Sequence, residues 1–242
     1  MIRLVGIPRH RQMNRRWGDG SATYQEGHCV TPEELSARHP RLFHVTLSGA
    51  CDGIRSKGLL PTSRLLDVFE VSPYERVRLE QVRRPAAVTI HHTVHGTAVL
   101  NDQSPMTERA LTKCLDEGLA PADWLLLLNR RVFFWADEAG LARLLGARAN
   151  QGRALDVLVV DTLGLARAHA ERIELSPINS GATIRRPARR GLSTFTPMLA
   201  LSYDDWRRKR GRLDRILEVT VLDGVPDIAR FMTEVRRVEP RG

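Results

Sequence analysis

Leu42-Phe43-His44-Val45-Thr46 decides how this chain is read. The residues alternate as in a half-buried strand, with Leu42 and His44 toward one face and Phe43 and Val45 toward the other. His44 and Thr46 are two apart, so their side chains project the same way. Such a pair suits ribose or amide groups, and equally suits a self-satisfied polar pair on a half-exposed strand. Upstream, Thr31-Pro32-Glu33-Glu34 has the form of a helix start. Thr31 caps, Pro32 fits the first helical position, and Glu34 closes a capping box. That helix should run to Arg38 and stop before Pro40. Downstream, Ser48 is expected to cap a helix through Ile54, closed at Gly58.

Further out, helices are expected at Arg64–Phe69, Pro73–Arg83, from Ser104-Pro105 through Leu115, and at Pro121–Leu128, Glu138–Leu145 and Tyr203–Lys209. Strands are expected at Ala87–His92 and Thr97–Leu100 around a His95-Gly96 turn, and at Arg131–Trp135, Leu155–Val160, Arg172–Leu175, Arg215–Leu222 and Phe231–Val238. The stretch from Ser176 to Pro197 stands apart. It holds Pro177, Gly181, Pro187, Gly191 and Pro197, with Arg185, Arg186, Arg189 and Arg190 among them. A long aperiodic segment inside a compact domain is usually functional or mobile. No repeat and no linker interrupts residues 31–242, which read as one α+β domain. Residues 1–30, with Arg3, Arg9, Arg11, Arg15 and Arg16 among polar residues, read as a basic, mobile arm.

At 242 residues, with 42% hydrophobic and 27% charged side chains, the chain can build a core. Apolar runs such as Trp124–Leu128 fall far short of the ~20 residues a membrane span needs. The Arg-rich start lacks the apolar run of a secretory signal, so a cytoplasmic protein away from membranes is expected. Cys29, Cys51 and Cys114 are few and scattered, which reads as reduced thiols and no metal site. His91, His92 and His95 have no fourth ligand nearby and a glycine turn beside them. The basic side is almost all arginine, 34 against three lysines, and the net charge is +9. Guanidinium forks match phosphates, so nucleic acid or a phosphorylated cofactor competes with a plainly basic surface as the explanation.

Three further places carry candidate chemistry. Glu218 lies within Ile216-Leu217-Glu218-Val219-Thr220-Val221, one carboxylate among apolar neighbours, which points to a raised pKa or to a water-facing edge strand. Asp102-Gln103-Ser104-Pro105-Met106 sits where a strand gives way to a helix, so it suits an anion, or merely an N-cap at Ser104. Phe133-Phe134-Trp135 offers rings for stacking or for the core. Phosphate-loop, dinucleotide and nucleophile-elbow motifs do not occur.

Taken in order, these segments resemble the ADP-ribosyltransferase fold, most closely its DarT-like branch. There an H-x-T strand is followed by a helix and a G-L-L step, which here are Phe43-His44-Val45-Thr46 and Gly58-Leu59-Leu60. The branch's R-S-P-M segment is matched by Gln103-Ser104-Pro105-Met106. Its closing A-E-[FV]-L-V strand and V-P turn are matched by Leu217-Glu218-Val219-Thr220-Val221 and Val225-Pro226. The resemblance spans residues 41 to 238 and implies a split mixed sheet flanked by helices. It implies NAD as co-substrate and no metal, with His44 and Thr46 on the nicotinamide-side ribose or amide, and Gln103, Ser104 and Phe133 nearby. It also implies Glu218 as the catalytic glutamate. The Ser176–Pro197 loop becomes substrate-facing, with Arg185, Arg186, Arg189 and Arg190 binding the acceptor.

By the same resemblance the protein would be a toxin-like transferase. DNA or another nucleic acid stands ahead of protein as acceptor, and an antitoxin or immunity protein is a possible partner. Gln103 departs from the pattern, standing where the branch has an arginine. Two rival readings follow: an RNA 2′-phosphotransferase using NAD, and a non-catalytic nucleic-acid-binding protein of the same fold.

Overall fold

The computed structural model describes residues 29–184, 187–210 and 215–240. The expected N-terminal arm therefore lies outside the described residues, except for its last two. Of these, Val30 is already core: its N–H donates to the carbonyls of Met198 and Leu201.

Thr31 starts the described helices as the sequence predicts. The Glu34 amide donates to the Thr31 hydroxyl and the Thr31 amide to the Glu34 carboxylate, each at 3.1 Å, and helix α1 (Pro32–Arg38) follows. Thr31→Ala removes one half of this reciprocal pair. It should lower stability by about 1 kcal/mol in denaturant melts, and an unchanged midpoint would show that the cap is idle.

The main sheet takes seven strands: β1 (Arg41–Leu47), β4 (Arg131–Trp135), β5 (Leu155–Asp161), β6 (Ile173–Ser176), β7 (Thr196–Pro197), β8 (Glu218–Leu222) and β9 (Met232–Val238). Their order across the sheet is β7-β6-β8-β4-β1-β5-β9. A separate hairpin pairs β2 (Val88–His92) with β3 (Gly96–Leu100). It packs Ile90 and Leu100 against Leu66 and Leu79, from α3 (Thr62–Val68) and α4 (Pro73–Gln81).

The α+β class holds, but the sheet is not mixed. Every pair of neighbouring strands is antiparallel. The helical crossover through α7 (Glu138–Leu145) links β4 to β5, which point the same way but have β1 between them. β4 and β6 are likewise separated by β8. The crossovers thus produce parallel strands that are never adjacent, and no parallel ladder forms.

Register divides the sheet into two well-laddered halves. β1 meets β5 along all seven of its residues, and β4 meets β8 over five pairs. β1 and β4 share a single rung, Phe43 opposite Trp135.

One face is covered by α1 together with α8 (Thr162–His169) and α9 (Tyr203–Arg210), which bury Leu35, Leu165 and Trp206 against Leu42, Phe134 and Val219. The other face is covered in two patches. α5 (Glu108–Cys114) and α6 (Pro121–Asn129) bring Leu111 and Trp124 toward Phe133, and α7 brings Leu141 onto Phe43 and Val159.

Several expected boundaries move, each for a local reason. Ser48 does not cap: its hydroxyl donates to Asp156 at 3.4 Å, and α2 (Cys51–Lys57) starts after Ala50. Ser104 does not cap either. The Ser104 amide turns back to Asp102, while Thr107 accepts from the Ala110 amide and opens α5 three residues later. Helix α8 was not expected. Asp161, the last residue of β5, caps it by accepting from Gly164 at 2.7 Å, so strand and helix share one residue of punctuation.

Candidate functional site

Glu218 is the first residue of β8, in register with Trp135 of β4 and Ser176 of β6. With Phe43 opposite Trp135, one row crosses four strands: Phe43, Trp135, Glu218, Ser176. Directly opposed residues project to the same face, so the glutamate points toward the α5–α6 side of the sheet. Its side chain is 5% exposed.

What covers it is the turn after β6. The Ser176 hydroxyl pairs with the Ile178 main chain, which tightens the turn and swings Ser180 over the strand end. The Ser180 amide then donates to both carboxylate oxygens of Glu218, each at 3.2 Å. Burial pushes the Glu218 carboxyl up to about 7, against the pull of the Ser180 hydrogen bonds and the Arg190 charge.

Arg190 stands inside this arrangement and not on the surface expected of an acceptor-binding arginine. It is 2% exposed, donates to the Ser180 carbonyl at 2.9 Å and to Ala188, and pairs through its main chain with Cys114 and Asp116. The guanidinium lies 5.8 Å from the Trp124 ring centre. It braces Ser180 through the carbonyl while the amide of that residue caps the glutamate, and is best described as a positioning residue. Removing it by Arg190→Ala takes away a favourable charge, so Glu218 should titrate still higher, read by carboxyl carbon chemical shifts against pH. An unmoved titration would disconnect the two groups.

The Ser180 hydroxyl is fully buried beside the same carboxylate and favours its charged form together with the amide, without a well-directed hydrogen bond among the described residues.

The Gln103–Met106 segment is brought to the same loop. Thr183 donates through its amide to the Pro105 carbonyl, and its hydroxyl accepts from the Thr107 amide, both at 2.9 Å. Gln103 itself is committed elsewhere. It exchanges two hydrogen bonds with the Arg84 main chain, at 3.0 and 2.7 Å. Ser104 is exposed, held by Asp102, whose other oxygen takes Arg153 at 2.6 Å. Arg84, which sequence reasoning missed, does not restore the branch's arginine. Its buried guanidinium serves Asn101, Leu79 and Asn129, and desolvation lowers its pKa to about 10.

His44 lies where β1 leaves β4. Its Nδ1 is 2.9 Å from the Phe133 carbonyl and must donate to it, so the imidazole replaces a missing rung of the ladder. That fixes the neutral tautomer with Nε2 as a free acceptor, and burial holds the pKa below the ordinary value. The ring meets Phe134 edge-on at 5.9 Å. Since Phe43 shares the Glu218 row, the pleat turns His44 and half-buried Thr46 to the other side of β1. No hydrogen bond or ion pair joins either to Glu218 among the described residues.

Phe133 is half-buried and meets Phe195 edge-on, while Phe195 stacks on Trp124, so this ring belongs largely to the core. Arg189 is exposed and pairs with Asp116 at 3.4 Å. Arg185 and Arg186 lie outside the described residues. Two other quoted motifs meet directly. Leu59 and Val225 exchange main-chain hydrogen bonds at 2.9 and 2.8 Å, so the G-L-L step and the V-P turn form one bridge. Gly58 makes this possible: its φ is +91°, and a Cβ there would sit 2.5 Å from the Pro226 Cα.

The three cysteines are free, and no described cluster of three or more His, Cys, Asp or Glu side chains could hold a metal ion. No described helix is long and apolar enough to cross a membrane. No curated protein matches the chain. Residues 40–232, from just before β1 to the start of β9, match a family of unknown function, and the chain thus belongs to the DUF7002 family.

Proposed function

We propose that the protein is an NAD-dependent ADP-ribosyltransferase, toxin-like in kind, that modifies nucleic acid and uses Glu218 as its catalytic carboxylate. The observation that carries this reading is the setting of Glu218: a nearly fully buried carboxylate at a strand end, capped by Ser180, with its pKa near neutrality. A general base is most effective when its pKa lies near the working pH. The acceptor Nε2 of His44 suits a ribose hydroxyl or an amide of NAD, and it opens on the side of β1 away from Glu218.

When bound, NAD supplies a labile nicotinamide–ribose bond. His44 and Thr46 would hold its ribose or amide groups, and the turn at Gln103-Ser104 would lie beside it. Glu218 would stabilise positive charge on the ribose and take a proton from the acceptor's attacking group, which requires NAD to pass from the His44 side of β1 to the Glu218 side. Arg189, exposed on the loop that caps the glutamate, tracks the acceptor's phosphates. Arg185 and Arg186 are proposed for the same task.

One observation favours a second reading, a non-catalytic nucleic-acid-binding protein of this fold. Gln103 occupies the branch's arginine position and spends its side chain on the Arg84 main chain. Nicotinamide release from NAD, measured with and without mixed nucleic acid, separates the two. Release that nucleic acid stimulates supports the transferase. Salt-sensitive nucleic-acid binding with neither NAD binding nor release supports the second reading.

A further inference from the structure

A cleft of about 630 Å³ opens at the other end of β8, lined by α3, α4, the end of α6 and the turn after the strand. Asp223, on its wall, follows the last residue of β8, whereas Glu218 is the first. At the usual strand rise the two lie roughly 17 Å apart. The volume falls within the roughly 300–1,000 Å³ typical of small-molecule sites.

Two of the four arginines that line the cleft are only loosely engaged. Arg64 reaches Asp67 through one nitrogen at 3.2 Å, and Arg130 reaches Asp223 through one nitrogen at 3.4 Å. Both side chains are about half exposed, at 54%. Exposed pairs of this kind are weak, and the remaining guanidinium nitrogens of both residues have no partner among the described residues. Arg76 is held more firmly, by Asp67 and Glu80 and by the Ser63 carbonyl. Ser63 is a wall residue, 8% exposed, and its hydroxyl is buried without a partner.

We propose that this cleft binds a nucleotide unit, with its phosphate between Arg64 and Arg130. A phosphate placed between them takes both guanidiniums at once and replaces two single-nitrogen contacts, while Asp67 keeps Arg76 as its partner. Released from Arg130, Asp223 becomes an acceptor for hydroxyl or amino groups of the ligand, while Asp67 stays on Arg76. A ligand offering phosphate together with such donors matches the whole set better than a bare anion, because the wall carries carboxylates as well as guanidiniums. A free nucleotide and the end of a nucleic-acid strand share that chemistry. The inference stands whether or not Glu218 is catalytic.

Calorimetric titrations of the full chain with adenosine monophosphate, with a short 5′-phosphorylated oligodeoxythymidylate and with inorganic phosphate test it. Wild type, Arg64→Gln, Arg130→Gln, the double variant and Glu218→Gln are compared. Both arginines are half exposed, so the variants should fold, as melting curves can verify. The nucleotide, the oligonucleotide or both should bind wild type, each single variant weakening binding roughly tenfold and the double about 100-fold. Glu218→Gln should leave it unchanged, which separates this cleft from the proposed transferase site. Loss confined to the free nucleotide identifies a small ligand, and loss confined to the oligonucleotide identifies a strand end. Binding that the double variant retains overturns the proposal. Phosphate binding as tightly as the nucleotide, or no binding by any probe, overturns it as well.

Discussion

Glu218→Ala is expected to lower nucleic-acid-stimulated nicotinamide release by roughly 10²- to 10⁴-fold, the range for losing a positioned acid–base or charge-stabilising group. The alanine variant also opens space under Ser180 and frees its amide, so Glu218→Gln is the companion. Glutamine keeps the size of the side chain and an oxygen to accept from the Ser180 amide, but it has neither a negative charge nor a site for the acceptor's proton. Both variants should fall to the same low rate. Release at the wild-type rate from either folded variant would remove Glu218 from the chemistry. A deficit in alanine alone would assign it to shape.

Some of this arrangement was legible in the residues, and the reasons are local. The Thr31 box, Pro32 and Glu34 carry their whole mechanism within one helical turn, so α1 could be read directly. Strand β4 and helix α7 were legible too, over Arg131–Trp135 and Glu138–Leu145, the bounds they have in the fold. Where several Ser, Thr or Pro residues compete for one helix start, the winner is set by which of them is already engaged, by a distant strand or by a residue two places away. Asp156 takes Ser48, and Asp102 takes the Ser104 amide, leaving Ala50 and Thr107 to open the helices. Strand direction also lay beyond the sequence, because alternation does not reveal which strand will lie between two others.

The candidate site divides along the same line. Glu218 stood out because a carboxylate interrupts an apolar alternation, and such a group must be paired, protonated or exposed. Its partners carried no comparable mark. Ser180 acts through its main-chain amide, which every residue but proline possesses, and only the turn pinned by Ser176 makes that amide special. Arg190 looked like one member of an exposed basic run. Its burial follows from the pairing of its main chain with Cys114 and Asp116, which turns the side chain inward while Arg189 remains outside. In an arginine-rich loop the composition is shared, and the division of labour is made by long-range backbone contacts. The same holds for Gln103, whose neighbours in sequence suggest a ligand contact and whose hydrogen bonds go to residue 84.

Glu218→Gln should also stabilise the protein at alkaline pH. The folded-state carboxyl titrates at about 7, against an ordinary 4.5, because burial penalises its charged form more than Ser180 and Arg190 favour it. Between those two values the native protein holds a proton that the unfolded chain has released. The stabilisation is therefore complete below the unfolded value, declines as pH rises through the window, and is lost above the folded value. The full swing is on the order of 3 kcal/mol. Glutamine resembles the neutral form at every pH, so its stability lacks this decline. Urea melts of both proteins at about pH 5 and about pH 8 should show near-equal stability in acid and a more stable variant in base, by up to that amount. His39 and His44, whose buried rings favour the neutral form, contribute equally to both proteins and cancel in the difference. A wild type at least as stable as the variant in base would mean that the Ser180 amide and the Arg190 charge hold Glu218 ionised in the fold. The carboxylate would then be a structural anchor of the loop, with no proton to exchange near neutral pH.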